Sequence, residues 1–263
     1  MTWRPTPGEA ARLLELGRSD AAFERIIAGL AAQLLLPGEG AVDGGANRGL
    51  HTGLLRRLAG PRGWVLAVEP QPLLARALRT LQLPSAQHAP CTVVEAALAE
   101  RDGRAPFHLV LNHPSYSGLR LRDTPTPPEV ERLEVACVTL DALLAGRAGL
   151  GLIKLDLEGG EFHALRGARE TLARQRPAVI FECARQWAAD LYGYSRDDYF
   201  GFFEAVGYRL LDLLGDPFGP ADWERKLVPF YRVAVPRGGG AEARARQALP
   251  GLTRRLLQPA ATA

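Results

Sequence analysis

Two short segments combine acidic side chains with glycines in a pattern typical of ligand binding. Residues 42–49 read VDGGANRG, and they follow apolar residues and precede leucines at helical spacing. Glycines permit a tight turn and a close approach of the backbone to a ligand, and the amides at a helix start face that ligand. A second apolar segment, Trp64–Val68, ends at Glu69, where a carboxylate suits the two hydroxyls of a ribose. Together they predict a nucleoside-bearing cofactor at the carboxyl edge of a parallel sheet.

The spacing of these glycines discriminates between cofactors. A dinucleotide site has the pattern G-x-G-x-x-G, whereas here Asp43 directly precedes Gly44 and Gly45. A carboxylate is repelled by a pyrophosphate and attracted by an ammonium or a sulfonium group. S-adenosylmethionine has both of these cations and a ribose, so the sequence favours this methyl donor over NAD. A purely structural turn is the alternative, and Glu69 at the next strand end argues against it.

A third segment places charges where a buried strand is normally apolar. Residues 151–161 read GLIKLDLEGGE, and strand alternation puts Lys154, Asp156 and Glu158 on one face. Burial of such charges is costly unless they pair with each other or contact a ligand. Asp156 and Glu158 also follow the strand at its carboxyl end, where open α/β sheets bind ligands. A structural Lys–Asp ion pair is the alternative reading of this segment.

Composition limits the class of protein. The chain has 263 residues, a net charge of +3 and three widely spaced cysteines. One α/β domain of this length is ordinary, and the small charge gives no reason to expect a nucleic-acid or membrane partner. The odd number of cysteines favours a reducing compartment. No C-x-x-C or H-E-x-x-H element, signal segment or bilayer-length apolar run is present, so we expect a cytoplasmic protein without a metal.

The apolar periodicity predicts an alternation of strands and helices. Strands are predicted at residues 41–45, 64–68, 92–96, 151–157 and 178–183, and helices at 49–59, 71–82, 161–175 and 195–206. Segments 107–111 and 133–138 predict an inserted hairpin whose long loop, 112–128, is a candidate substrate cover. Segments 208–211 and 227–234 predict an antiparallel pair that closes the sheet. The predicted domains are an N-terminal helical segment (1–38), a central domain (39–236) and a loosely held basic C-terminal tail with a short helix (237–263).

A series of motifs across roughly residues 40 to 210 resembles one family. The motifs are VDGGANRG from Val42, AVEP ending at Pro70, EAALAERDG from Glu95, TLDALL from Thr139, IKLDLEGGE from Ile153, and LRGARETL followed by RPAVIFE. In their order and spacing the chain is similar to the FkbM-type S-adenosylmethionine-dependent methyltransferases. The resemblance implies a seven-stranded Rossmann-like α/β fold, with a mostly parallel sheet, helices on both faces and a β-hairpin insertion between the third and fourth sheet strands. It also implies methyl transfer, usually to a hydroxyl of a sugar, polyketide or other small molecule.

The resemblance further implies a donor site. It places Asp43, Gly45 and Asn47 along the donor, Glu69 at the ribose, and the two alanines after the third strand beside the adenine. The full predicted cofactor-binding set is Asp43, Gly44, Gly45, Ala46, Asn47, Glu69, Pro70, Ala96, Ala97 and Asp156.

An acceptor hydroxyl needs a base to remove its proton. Asp156 is the first candidate because of its place at the strand end, followed by Glu158 and by Glu182 at the end of the next strand. The alternatives are His51, His113 and His163, although a lone histidine is more often a packed or surface residue. Asp156 and Glu158 are a weak signal for Mg²⁺.

Other side chains are candidates for acceptor binding. His113, Ser115 and Ser117 lie in the predicted cover loop, where the serines also fit ordinary turn chemistry. Aromatic residues after the fifth strand suit either ring stacking or core packing; they are Trp187, Tyr192 and Tyr194.

Two other functions are compatible with a methyl-donor fold. A nucleic-acid methyltransferase would have an N-P-P-Y-like turn after the fourth strand, where this chain has D-L-E-G, and a dense basic patch, which is absent. A donor-binding scaffold without catalysis is the second alternative. The N-terminal helices are a candidate homodimer face.

Overall fold

The computed structural model describes residues 6, 8–9, 20–81, 85–224 and 230–256. Its strands are β1 (Gly40–Gly44), β2 (Trp64–Val68), β3 (Cys91–Val94), β4 (Ala97–Leu98), β5 (Gly103–Val110), β6 (Val130–Val138), β7 (Leu150–Leu155), β8 (Ala178–Glu182), β9 (Tyr208–Leu211) and β10 (Tyr231–Pro236). Its helices are α1 (Asp20–Leu34), α2 (Leu50–Ala59), α3 (Pro72–Leu81), α4 (Leu140–Leu143), α5 (Glu161–Arg166), α6 (Arg169–Gln175), α7 (Gln186–Tyr192), α8 (Arg196–Ala205) and α9 (Gly240–Leu256).

Seven of these strands form the main sheet, in the order β3-β2-β1-β7-β8-β10-β9. The first five are parallel, and β10 runs antiparallel to both of its neighbours. Successive residues of β7, Leu152 and Ile153, are fully buried in apolar clusters on opposite faces of the sheet. Because both faces are covered, the strand is continuously apolar except for Lys154. The predicted mostly parallel α/β fold is confirmed.

The predicted hairpin insertion lies between β3 and β7 in the chain. Its strands β5 and β6 pair antiparallel, with Phe107 opposite Leu133. The structure adds β4, which pairs parallel with β6 to make a separate three-stranded sheet. Two residues are too short for a periodic signal, so this strand was not predicted. It is important for the site because it holds Ala97.

The helices differ from the prediction at two places. The single helix predicted at 161–175 is two helices, α5 and α6. They are separated at Gly167, where a Cβ would collide with the carbonyl oxygen of Ala99. Helix α7 was not predicted. The first residues of the strand predicted at 227–234 lie outside the described residues, and the described strand is Tyr231–Pro236.

The two terminal helices pack against each other. Helix α9 lies on α1, its residues Ala245 and Leu249 are fully buried, and the Arg244 Nε donates to the carbonyl of Gln33 at 2.9 Å. A basic, alanine-rich composition predicts a loosely held tail. The structure has the predicted helix, Gly240–Leu256, but holds it closely, because Ala245 and Leu249 are fully buried. Helix α1 lies within the helical segment predicted before the first strand. Within the described part of the chain, none of the helices is both long and apolar enough to cross a bilayer.

Candidate active site

The loop after β1 is held between the ends of β2 and β7. The amides of Gly45 and Ala46 donate to the carbonyl of Val68 at 3.0 and 3.1 Å. Gly45 has φ 71°, and a Cβ there would collide with the carbonyl oxygen of Asp156. A residue other than glycine would therefore push the loop away from β7. The contact with Asp156 therefore explains why residue 45 is a glycine. The side of the loop that faces away from β7 stays open to a ligand.

Glu69 is fixed at the end of β2 by backbone amides. Its Oε2 accepts from the amide of Asn47 at 2.8 Å, and its Oε1 accepts from the amide of Gln71 at 3.0 Å. Burial raises the pKa of Glu69, while these two hydrogen bonds oppose the rise. A carboxylate oxygen has two lone pairs. Each oxygen can therefore accept a further hydrogen bond from a ligand hydroxyl.

A cavity of about 540 Å³ opens beside this loop, a volume typical of small-molecule sites. It extends from Glu69 to the end of β7, and the inserted segment covers it through Ser115 and Ser117. The predicted cofactor-binding residues that line it are Gly45, Ala46, Asn47, Glu69, Pro70, Ala96, Ala97 and Asp156. The structure thus brings most of the predicted set to one cavity.

Asp43 and Gly44 are not part of that lining. Asp43 is fully buried; its Oδ2 accepts from the Thr52 hydroxyl at 2.6 Å, and its Oδ1 lies 3.5 Å from the Lys154 Nζ. Gly44 packs between β7 and the insertion, where a Cβ would lie 2.6 Å from Leu98. The side chain of Asp43 is thus directed towards Thr52 and Lys154, and its predicted contact with the donor stays a prediction.

Lys154 joins Asp43 to the cavity. Its Nζ lies 3.8 Å from the Asp156 Oδ2, which also accepts a hydrogen bond from the Tyr231 hydroxyl at 2.8 Å. The acidic neighbours, above all Asp43, raise the pKa of Lys154 even though its burial acts in the opposite direction. The Lys–Asp ion pair considered for this strand is therefore present, and it supports the carboxylate of Asp156 at the cavity wall.

Glu158 links the end of β7 to the insertion. Its Oε2 lies 2.6 Å from the Nη2 of Arg122. That guanidinium stacks 4.1 Å from the Tyr116 ring centroid and donates to the carbonyl of Ser115 at 3.0 Å. Glu158 has φ 56°, a left-handed conformation that strains a residue with a Cβ. Burial and then the neighbouring Asp156 raise its pKa to about 8, against the opposing effect of Arg122.

Glu182, the third predicted catalytic carboxylate, does not line the cavity. It lies behind Asp156 at the end of β8, and burial, followed by the nearby carboxylate of Glu161, raises its pKa well above the ordinary range. This arrangement makes it a neighbour of the site and not a group in contact with the cavity.

The histidines and serines are divided between the cavity and its surroundings. His51 lines the cavity, and its Nε2 lies 2.7 Å from the Glu24 Oε2. His113 lies outside the lining, with its Nε2 2.8 Å from the Thr126 hydroxyl. His163 is half-buried against Tyr192, and burial lowers its pKa. The Ser117 hydroxyl accepts from the amide of Val110 at 3.0 Å, which is a turn role even though Ser117 reaches the cavity.

The three aromatic candidates have different surroundings. Tyr192 lines the cavity. Trp187 is half-exposed, and its ring lies 5.5 Å from the Arg122 guanidinium. Tyr194 packs against Phe162 at 4.6 Å, as core packing predicts.

The sequence analysis missed Glu24, which lines the cavity, and three residues that contact or adjoin the lining, Arg122, Tyr231 and Glu161. Glu24 comes from α1, and Arg122 lies in an irregular loop, so neither has a periodic or motif signal. Tyr231 begins a strand far along the chain from the Asp156 that it contacts. Glu161 ends the LEGGE segment, and its position after two glycines was the one available signal.

A family model described as the methyltransferase FkbM domain matches residues 43–210, more than half of the chain. The chain belongs to this FkbM methyltransferase family. The predicted family and the predicted cofactor, S-adenosylmethionine, are thereby confirmed. No curated protein sequence matches the chain significantly.

Several solved structures resemble this FkbM protein. The methyltransferase FkbM from Methylobacillus flagellatus is 18% identical, with a TM-score of 0.47 over 75% of this chain. This chain spans 43% of that protein's length. An S-adenosylmethionine-dependent O-methyltransferase from Thermotoga maritima is 10% identical, with a TM-score of 0.41 over 90% of this chain and 67% of its own. The fibrillarin of Aeropyrum pernix, in complex with S-adenosyl-L-methionine, is 13% identical, with a TM-score of 0.42 over 77% of this chain and 68% of its own.

The cavity residues of this FkbM protein fit the donor. The Glu69 oxygens keep lone pairs that can accept from ligand hydroxyls, and Ala96 and Ala97 add small apolar side chains to the lining. The loop at Gly45 has no side chain between its backbone and the ligand. Asp156 places an acidic side chain in the same lining, which is compatible with a cationic ligand.

Proposed function

We propose that this FkbM methyltransferase transfers the methyl group of S-adenosylmethionine to a hydroxyl oxygen of a small molecule. The observation that carries this proposal is a single cavity with a ribose-type carboxylate, Glu69, at one end. At its other end lie two acidic side chains, Asp156 and Glu158, beneath an inserted loop. A hydroxyl acceptor needs a base and hydrogen-bonding groups, and this second end provides both.

We assign donor binding to the loop after β1, the end of β2 and the start of β4. Glu69 binds the ribose hydroxyls, and Ala96 and Ala97 face the adenine. The backbone of Gly45 and Asn47 lies along the donor. When bound, S-adenosylmethionine supplies an electrophilic methyl group on a sulfonium. The residues of the chain align an acceptor oxygen with it, and such alignment can lower a barrier by roughly 7–11 kcal/mol at best.

Glu158 is the better-placed base of the three predicted carboxylates. The Oδ2 of Asp156 is already engaged, because it accepts a hydrogen bond from the Tyr231 hydroxyl at 2.8 Å and lies 3.8 Å from the Lys154 Nζ. Glu158 lines the cavity, and its pKa of about 8 is closer to that of a useful base at neutral to mildly alkaline pH. Arg122 holds the carboxylate of Glu158 in place. This ion pair would break when Glu158 takes up the proton of the acceptor.

The acceptor end suits a polar molecule of modest size. Ser115 and Ser117 face the cavity from the insertion, while Leu119 and Phe107 give it an apolar side. A sugar or a hydroxylated polyketide has both kinds of surface. This supports a small-molecule acceptor over a nucleic acid, whose recognition would need an extended basic surface.

The test is methyl transfer from labelled S-adenosylmethionine to a panel of sugars and hydroxylated polyketides. We expect O-methylated product with wild type, a loss of turnover with normal donor affinity for Glu158→Gln, and unchanged behaviour for Glu134→Gln, an exposed glutamate on β6. Donor binding without product on any acceptor would support the scaffold alternative. Transfer to an amino group or to a nucleic acid would refute the assignment to hydroxyls.

A further inference from the structure

Three carboxylates from different elements converge at the cavity wall, where Asp156 lines the cavity and Glu161 and Glu182 lie behind it. Asp156 follows β7, Glu161 begins α5 and Glu182 ends β8, and each offers an oxygen so that all three lie within 4.8 Å of one another. Like charges at this distance repel strongly. Such a group needs either protons or a cation to be stable in the folded protein.

The described side chains give this cluster little positive charge. Lys154 is shared between Asp43 and Asp156, at 3.5 and 3.8 Å. Within the ranges that the structure describes, no ion pair joins Glu161 or Glu182 to an arginine or lysine. The Oε1 of Glu161 accepts from the amides of Leu157 and Gly159 at 2.5 and 3.4 Å, which fixes the carboxylate without neutralising it.

A second observation indicates a ligand at this place. The hydroxyl of Tyr192 is buried, with the side chain only 7% exposed, and it has no hydrogen-bond partner among the described residues. It lies on the cavity wall above Gly160, where a Cβ would be 3.4 Å from that oxygen. Gly160 directly precedes Glu161. A buried hydroxyl is normally satisfied, so a polar atom that does not belong to the chain is expected between Tyr192 and the cluster.

We propose that Asp156, Glu161 and Glu182 bind a divalent cation, Mg²⁺ or Mn²⁺, that orients and activates the acceptor hydroxyl. Carboxylate oxygens are the ligands that these hard cations prefer. The remaining coordination positions take water or acceptor oxygens, and the unpartnered Tyr192 hydroxyl bonds to one of them. The sequence led us to expect no metal. The sequence also gave Asp156 and Glu158 as a weak signal for Mg²⁺. In the structure, however, the carboxylate of Glu158 forms an ion pair with Arg122.

This inference rests on the proposed hydroxyl methylation and narrows its substrate class. A cation lowers the pKa of an oxygen bound to it, and an acceptor with two adjacent oxygens would occupy two coordination positions. The hydroxyl proton passes to Glu158, the oxygen–methyl bond forms, and the sulfur–methyl bond breaks to leave a neutral thioether. We therefore expect a vicinal diol or a hydroxyl next to a carbonyl.

The binding test uses Mn²⁺ and the purified full chain, without donor or acceptor. Electron paramagnetic resonance and calorimetry should show saturable binding that weakens roughly tenfold or more in Glu182→Gln and Glu161→Gln. Because Glu161 also holds two amides, Glu182→Gln is the decisive variant if Glu161→Gln unfolds. Glu134→Gln is the matched control, and it should bind Mn²⁺ like wild type. No saturable Mn²⁺ binding, or equal binding by Glu182→Gln, would overturn the proposal.

Chelation separates this inference from the proposed function. We expect EDTA to abolish methyl transfer to diol acceptors while donor affinity stays unchanged, and added Mg²⁺ to restore transfer. Full transfer in EDTA would overturn the metal site and leave hydroxyl methylation intact. Mn²⁺ bound by the three carboxylates in a protein that methylates no hydroxyl would uphold the site and refute the function.

Discussion

Replacement of Asp43 by asparagine should destabilise the protein more than it weakens donor binding. The substitution keeps the side-chain volume and removes one charge of a fully buried ion pair. Loss of one partner from such a pair typically costs about 3–5 kcal/mol, because the other charge stays buried. Lys154 keeps Asp156 as a second neighbour at 3.8 Å, so we expect the lower end of this range.

That cost can be measured as a melting temperature. For a protein of this size, each kcal/mol lowers the Tm by roughly 2–4 °C, so about 3 kcal/mol corresponds to about 6–12 °C. Thermal and urea unfolding by circular dichroism give the stability, and calorimetry with S-adenosylmethionine gives the affinity. The matched control is Thr52→Val, which removes the 2.6 Å hydrogen bond to Asp43 without removing a charge. It should cost about 1 kcal/mol.

The opposite pattern would refute this reasoning. If Asp43→Asn lowered the Tm by less than about 2 °C, within the range of a surface substitution, and donor affinity fell more than tenfold, then Asp43 would contact the donor. The side chain would in that case point into the cavity and not towards Thr52 and Lys154.

Three further outcomes follow from the site. Glu69→Gln should reduce donor affinity roughly tenfold or more, by the loss of charged hydrogen bonds to the ribose, and it should also lower the Tm, because an amide group cannot accept from both backbone amides that Glu69 binds; equal affinity by calorimetry would contradict the ribose assignment. Because Glu158 must be deprotonated to act as a base, kcat should rise with pH through about 8 in wild type, and a pH profile should show no such rise in Glu158→Gln. Folded Glu161 and Glu182 hold protons at pH values where the unfolded chain has lost them. Stability should therefore be greatest near the ordinary carboxyl pKa and fall as the pH rises through about 7; metal-free unfolding with the same Tm in acetate and Tris buffers would contradict this.

The order of strands and helices in the central domain could be predicted from sequence because apolar periodicity is a local property. Trp64–Val68 and Tyr208–Leu211 agree with the predicted bounds. The break between α5 and α6 could not be predicted, since it depends on contact of Gly167 with Ala99 in the insertion. A two-residue strand such as β4 likewise exists only through its pairing with β6.

The sequence predicts a cavity residue correctly where its place at the end of a strand is enough to bring it to the cavity. Glu69 lies at the cavity wall because any residue at the end of β2 does so. For Asp43, sequence gives the position but not the direction of the side chain, which Thr52 and Lys154 determine from other elements. Arg122 lies in a loop of irregular composition, and its ion pair with Glu158 is a long-range contact that no local pattern encodes.

The pairing of α1 with α9 has a consequence for protein synthesis. Glu24 reaches the cavity from α1, and Leu252 packs directly on Gly29 of the same helix. Helix α1 leaves the ribosome early, whereas α9 is the last helix that the structure describes. The wall that contains Glu24 therefore gains its outer support only when translation of α9 is finished. A nascent chain can form the central sheet before then, but it completes this wall of the cavity only after α9 has been synthesised.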